Sequence, residues 1–131
     1  MVAASARRAG AGFTLIELIV VMTILATLLT LAVPRYFHSL DRSKEAVLRQ
    51  NLSTMRDAID KYYGDLGHYP DAIDDLVAKR YLRALPVDPI TERADTWLPV
   101  PPPEGAGKGQ VYDVHSGAPG ASTDGSGFAE W

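Results

Sequence analysis

The pattern of apolar and polar positions changes abruptly at Phe13. Positions 1–12 are mostly small residues, with two arginines and no acid. From Phe13 to Val33 the chain is apolar, and Glu17 is the single charged residue in that stretch. As a helix the stretch is roughly 31 Å long, which matches the hydrocarbon thickness of a bilayer. The pattern therefore predicts a membrane-spanning helix over residues 13–34.

Beyond Pro34 the apolar residues recur three and four positions apart, as on one face of a helix. They are Tyr36, Phe37, Leu40, Val47, Leu48, Leu52, Met55, Ile59 and Tyr62, with charged residues between them. A proline inside a membrane helix can be accommodated. We therefore predict one long helix from about Phe13 to Tyr63, ended by Gly64 and Gly67.

The remaining residues predict several short elements. A short helix over 72–79 follows Tyr69-Pro70-Asp71, which supplies a proline and an acid near its N-terminus. Strands are predicted at 96–100, 110–115 and 128–131, separated by glycine- and proline-rich turns at 101–109 and 117–127. The predicted fold class is α+β: a long N-terminal helix packed on a short helix and a small C-terminal antiparallel sheet.

Composition excludes several classes of function. The formal net charge of −3 and pI near 5.5 leave no basic surface for neutralising phosphates, so nucleic acid is not expected as a partner. The chain has no cysteine, which excludes disulfides, thiolate catalysis and cysteine-ligated zinc. A chain of 131 residues has material for one small domain besides the apolar segment.

Charge at the N-terminus sets the expected orientation. A secretory signal peptide would have a shorter apolar region ending at a small-x-small cleavage site, and Ala32-Val33-Pro34 fits that pattern poorly. Arg7 and Arg8 precede the apolar run, so the positive-inside rule places residues 1–12 in the cytoplasm. Residues 35–131 are then expected outside the inner membrane, in the periplasm of a Gram-negative cell.

Glu17 is the anomaly in the apolar run. A charge at the centre of a membrane helix costs about 2.5–3.5 kcal/mol on insertion scales, so such a residue needs a partner. No basic residue lies between Arg8 and Arg35. Cleavage just before Phe13 would create a free amine four residues from Glu17.

The residues Gly12 to Glu17 read GFTLIE and are followed by LIVVMTILATLLTLAVP. This stretch closely resembles the signature of type IV prepilins. The resemblance implies cleavage between Gly12 and Phe13 by a membrane prepilin peptidase, methylation of the Phe13 amine and use of Glu17 in assembly. It divides the chain into a leader at 1–12, a transmembrane part at 13–34 and a periplasmic domain at 35–131. The alternative is a plain signal anchor with a chance glutamate.

Further along, the stretches YP, DLV, YL, LPVDP, VYDVHSGAPG and AEW resemble the major pseudopilins of type II secretion systems in order and spacing. The resemblance implies a subunit that polymerises into a periplasmic pseudopilus. Its expected partners are further copies of itself, minor pseudopilins, an inner-membrane assembly platform and the prepilin peptidase. The absence of cysteine favours this family over adhesive type IV pilins, many of which close a C-terminal loop with a disulfide.

Two other functions stay open at this point. One is a type IV pilin or minor pilin of an adhesion, motility or DNA-uptake filament. The other is a membrane-tethered periplasmic binding module or enzyme, which would stay monomeric and would tolerate loss of Glu17.

A calcium site is also implied by the resemblance, because the pseudopilins bind calcium in the loop that corresponds to residues 116–127. Where they tend to read Gly-Ala-Asp-Gly, this chain has Gly117-Ala118-Pro119-Gly120, so one expected carboxylate is missing. Asp124 and Ser116 remain as candidate calcium ligands, with Ser122 and main-chain carbonyls as helpers.

Asp113, His115, Ser116 and Asp124 include the residue types of a hydrolytic triad. His115 and Ser116 are adjacent, so their side chains point to opposite faces if a strand continues there. The chain has no GxSxG nucleophile elbow. We therefore predict that the protein is not an enzyme.

Overall fold

The computed structural model describes residues 12–131, so the predicted leader lies outside the described residues apart from Gly12. The chain divides into two units, one reaching to His38 and the other comprising Ser39–Trp131. Helix α1, Leu15–Leu66, contributes residues to both. The elements after it are a short helix and a two-stranded antiparallel sheet, which confirms the predicted α+β class.

Helix α1 continues past both of the residues expected to disturb it. Pro34 lies inside it, and so does Gly64, which was wrongly predicted to end it. A glycine in a helix costs about 1 kcal/mol, less than the contribution from burying apolar side chains such as Tyr62 beside it. The end comes at Gly67, where φ is +75° and the amide donates to the Tyr63 carbonyl at 2.8 Å. A glycine in the left-handed region is a common helix terminator.

In the first unit, the large apolar side chains of α1 are exposed. Its threonine hydroxyls donate to carbonyls of the same helix: Thr23 to Ile19, Thr27 to Thr23 and Thr30 to Ala26, at 2.7–2.8 Å. Among the described residues, α1 is the one helix whose length and composition suit a membrane, with mean hydropathy 2.5 over its most apolar 18 residues.

In the second unit, one face of α1 forms half of the core. Leu48, Leu52, Met55, Ala58, Ile59 and Tyr62 are buried along it. They form one apolar cluster with Leu76, Trp97, Val111, Val114, Ala118 and Phe128. Leu76 belongs to helix α2, Asp74–Ala78, which lies within the predicted 72–79. The helical spacing read from the sequence thus marks the buried face from Leu48 onward. The earlier residues of the same pattern are exposed: Tyr36, Phe37, Leu40 and Val47.

The sheet consists of β1, Trp97–Val100, and β2, Asp113–Ser116. They pair antiparallel with Trp97 opposite Ser116 and Val100 opposite Asp113. Strand β2 begins later than predicted because the amides of Gln110 and Val111 donate to the Pro70 carbonyl at 3.0 and 2.9 Å instead of joining the ladder.

The third strand, predicted at 128–131, was wrong. Phe128–Glu130 form a 3-10 helix, in which the Glu130 amide donates to the Gly127 carbonyl at 3.0 Å. The tight turn buries Phe128 and sets Trp131 against it edge-to-face, with ring centroids 5.3 Å apart. In an extended strand, Phe128 and Trp131 would point to opposite faces because they are three positions apart. The contact between their rings therefore favours the helical turn.

Candidate functional site

The start of helix α1 holds Glu17 in a reciprocal pair with Thr14. The Thr14 amide donates to Glu17 Oε2 at 3.3 Å, and the Glu17 amide donates to Thr14 Oγ1 at 3.2 Å. This is a capping box, which supplies acceptors for two main-chain amides at the helix start, where the helix itself supplies none. The carboxylate also lies at the positive end of the helix dipole.

Thr14 is therefore a site residue that our sequence reading missed. The capping box could have been predicted from the sequence, since Thr14-Leu15-Ile16-Glu17 matches the S/T-x-x-E pattern that precedes an apolar run. From the sequence we predicted no partner for Glu17 within the apolar stretch of the uncleaved chain. The structure gives it the Thr14 amide as a partner, at a distance longer than the 2.7–2.9 Å typical of charge-assisted bonds.

In the single chain, the side chains next to Glu17 in sequence do not bury it. Phe13, Leu15, Ile16 and Leu18 are all exposed. The exposed apolar surface is suited to packing against other helices, and the carboxylate at its end is suited to pairing with a cation. Within residues 12–131, the hydrogen-bond partner of Glu17 is Thr14, and the pair does not form the linked nucleophile, base and acid that catalysis would need.

The second candidate region is the C-terminal loop, defined here as residues 117–127, where Asp124 is fixed by hydrogen bonds. Its Oδ1 accepts from the hydroxyls of Ser122 and Ser126, the latter at 2.6 Å, and from the Ser126 amide at 2.9 Å. Its Oδ2 lies 3.6 Å from the Arg49 guanidinium. The serine hydroxyls, then the Ser126 amide and Arg49, lower the pKa of Asp124 to about 2.

Ser116 belongs to a different network. It is fully buried, its hydroxyl donates to Asp88 Oδ2 at 2.5 Å, and it accepts the Ala118 amide at 3.1 Å. Asp88 is also buried, and its Oδ1 accepts the amides of Ile90 and Thr91 at 2.8 and 3.4 Å. Ser116 thus secures the turn after Asp88, and no hydrogen bond connects it with Asp124 in the described part of the chain.

This arrangement fits calcium poorly. Calcium takes six to eight oxygen ligands, usually with several carboxylates. Asp124 is the one acid in the C-terminal loop, and a guanidinium faces it. Across residues 12–131 no group of three or more histidine and acidic side chains is placed to hold a metal. Calcium binding stays a prediction.

The residues of the hypothetical hydrolytic set also have separate partners. Asp113 pairs with Arg56 at 2.8 Å, and the His115 ring contacts the Trp131 main-chain oxygen. Ser116 donates to Asp88. The serine, histidine and acid of a triad must be joined in series, and these three are not.

Comparison with known proteins places the chain in a family. The protein-family model for the prokaryotic N-terminal methylation motif matches residues 7–33. Type II secretion system core protein G of Xanthomonas campestris pv. campestris is 31% identical over 127 residues, covering 91% of this chain and 89% of that protein. The chain belongs to the type II secretion system core protein G family.

A second member, from Pseudomonas aeruginosa, is 35% identical over 99 residues, covering 63% of this chain and 70% of that protein. No solved structure gives a significant match. Membership of the core protein G family confirms the resemblance to major pseudopilins that the sequence predicted. It also supports the prediction that the protein is a structural subunit and not an enzyme.

Proposed function

We propose that this chain polymerises into a periplasmic pseudopilus that drives type II protein secretion. The observation that carries the proposal is the combination found in α1: an apolar surface open along residues 15–37, with Glu17 as its single charge before Arg35. Such a surface is stable in lipid or against other helices, not in water. Family membership supports the secretion system as the setting.

The proposal includes processing and orientation. A prepilin peptidase cleaves between Gly12 and Phe13, and the new Phe13 amine is methylated, which the methylation-motif match supports. Residues 13–34 anchor the subunit in the inner membrane, with residues 1–12 cytoplasmic before cleavage and residues 35–131 periplasmic. Minor pseudopilins and an inner-membrane assembly platform are the further partners.

Glu17 has the central role in assembly. Within one chain it accepts from the neutral Thr14 amide at 3.3 Å. A methylated amine at Phe13 of a neighbouring subunit is cationic and offers a shorter, charge-assisted bond. In a low-dielectric setting, leaving a charge without its partner costs several kcal/mol. Pairing between chains therefore sets the axial stagger and disfavours subunits out of register.

The test is to replace Glu17 with Leu in the full-length chain, expressed in cells that lack the native copy. We expect membrane insertion to persist, and assembly and secretion to be lost. Since the chain has no cysteine, a pair introduced on neighbouring helices reports assembly without background from native thiols. Glu104→Gln, which alters an exposed acid in the loop after β1, is the matched control and should assemble normally.

Mass spectrometry of the mature chain tests processing, and should show a methylated Phe13 at the N-terminus. A Glu17→Leu variant that still crosslinks and secretes would show that the carboxylate does not guide assembly. Filaments visible on the cell surface at native expression would favour an adhesion or motility pilin instead. A chain that stays monomeric would favour a tethered binding module.

A further inference from the structure

The C-terminal loop, residues 117–127, is attached to helix α1 at two positions one helical turn apart. At the first, Glu45 accepts the Thr123 amide at 2.7 Å and the Thr123 hydroxyl at 2.9 Å. At the second, Arg49 lies 3.6 Å from Asp124. Residues four apart lie on the same helix face, so one face of α1 presents an anion and a cation to adjacent residues of the loop.

Trp131 joins the loop to the second position. Its indole Nε1 donates to the Ser126 hydroxyl at 2.8 Å, and that hydroxyl donates to Asp124 at 2.6 Å. The guanidinium carbon of Arg49 lies 4.0 Å from the centre of the Trp131 ring, within the range of a cation–π contact. Arg49 therefore contacts both ends of a continuous chain of hydrogen bonds.

Hydrogen-bond donors from the loop already occupy Asp124 Oδ1, an oxygen that a bound cation would use as a ligand. Asp124 Oδ1 accepts three hydrogen bonds within the loop, and a carboxylate oxygen offers about two lone pairs. Oδ2 faces a guanidinium, which supplies positive charge where a bound calcium ion would. A calcium ion would have to displace these donors and approach Arg49 against like charge.

We propose that Glu45 and Arg49 of helix α1 hold the C-terminal loop directly, so that this pseudopilin keeps the loop ordered without calcium. Arg49 takes the place of the cation, and Glu45 provides a second attachment that depends on no metal. The exposed Arg49–Asp124 pair alone would contribute little. The stack on Trp131 and the two bonds from Thr123 to Glu45 make the attachment cooperative. The inference concerns folding stability and does not depend on assembly.

The first experiment measures the melting temperature of the full-length chain in mild detergent, with chelator or with millimolar calcium at equal ionic strength. A ligand that binds only the folded state raises its stability in proportion to the logarithm of ligand over dissociation constant. We expect the melting temperature to be the same in both conditions. A rise of about 5 °C or more in calcium would overturn the proposal.

The second experiment measures Glu45→Ala and Arg49→Met in chelator. Loss of either attachment should lower the melting temperature by about 2–4 °C, since about 1 kcal/mol shifts a domain of this size by roughly 4–8 °C and both sites are partly solvated. Matched controls on the same helix are Asp57→Ala and Arg42→Met, both at exposed positions. If the test variants melt at the same temperature as these controls, the two side chains do not hold the loop.

Discussion

The two units of this protein use similar apolar residues with opposite outcomes. In α1 before His38, leucines are exposed, as with Leu28 at 57%. In the second unit, Leu48 and Leu52 on the same helix are buried, at 0% and 1%. The difference lies in the residues between them. After Pro34, charged side chains separate the apolar positions and restrict them to one face.

One continuous helix can therefore have one part suited to lipid and another part suited to a folded domain in water. An apolar surface all around suits lipid or neighbouring helices, and a single apolar face suits a core with water on the other side. Each half of α1 should therefore respond differently to the same substitution.

The largest expected effect comes from Leu52→Ala. It removes a side chain buried against the core of the second unit and should cost about 2–5 kcal/mol of unfolding free energy, through lost burial and a cavity. The melting temperature of the full-length chain in detergent should fall by at least about 8 °C.

Leu28→Ala makes the same chemical change in the other half of α1, where the side chain is exposed. It should leave unfolding free energy within about 0.5 kcal/mol of the wild type. Equal losses of stability from the two substitutions would contradict the difference between the two halves of α1, because they would mean that residue 28 is packed within a single folded chain.

Ser116→Ala tests the polar part of the second unit's interior. The change leaves Asp88 Oδ2 and the Ala118 amide without the partner that both now have. The cost should be about 1–3 kcal/mol, measured by chemical denaturation. Ser53→Ala, at an exposed position of α1, should change stability little. A Ser116→Ala variant as stable as Ser53→Ala would show that the buried hydroxyl is dispensable.

Thr14→Ala should have a smaller effect than Ser116→Ala, and one confined to the start of α1. Loss of a capping residue costs about 0.5–2 kcal/mol of local helix stability. Amide hydrogen exchange at Glu17, followed by NMR in detergent, should become faster, while the melting temperature of the second unit stays the same. Thr14→Ser keeps the hydroxyl and should exchange like the wild type. Equal exchange in all three chains would mean that the capping bond does not form.

Much of the fold was predictable because it depends on local pattern. The spacing of Leu48, Leu52, Met55 and Ile59 predicted the buried face of α1. The start of the apolar run at Phe13 predicted the beginning of the helix, which lies at Leu15. The exceptions are positions where packing outweighs local preference. Gly64 stays helical two residues after the buried Tyr62, and residues 128–130 turn because Phe128 is buried.

The contacts of the C-terminal loop could not be predicted in the same way. Glu45 and Thr123 are 78 positions apart, and nothing in the local sequence of either residue points to the other. The acid at Asp124 was visible, but its serine and arginine partners depend on how the chain returns to α1. The capping box at Thr14 was within reach of sequence reasoning, since both partners lie within four residues.

The threonines of the apolar segment have one more consequence. Because Thr23, Thr27 and Thr30 each return their hydroxyl to a carbonyl of the same helix, they present mainly methyl groups to whatever surrounds them. The acceptor of each hydroxyl belongs to the same helix, so it moves together with the donor. In the proposed assembly, a subunit that exchanges lipid for protein neighbours therefore breaks no hydrogen bond of these three threonines, and its free energy of transfer depends on the contacts of its apolar surface and on the pairing of Glu17.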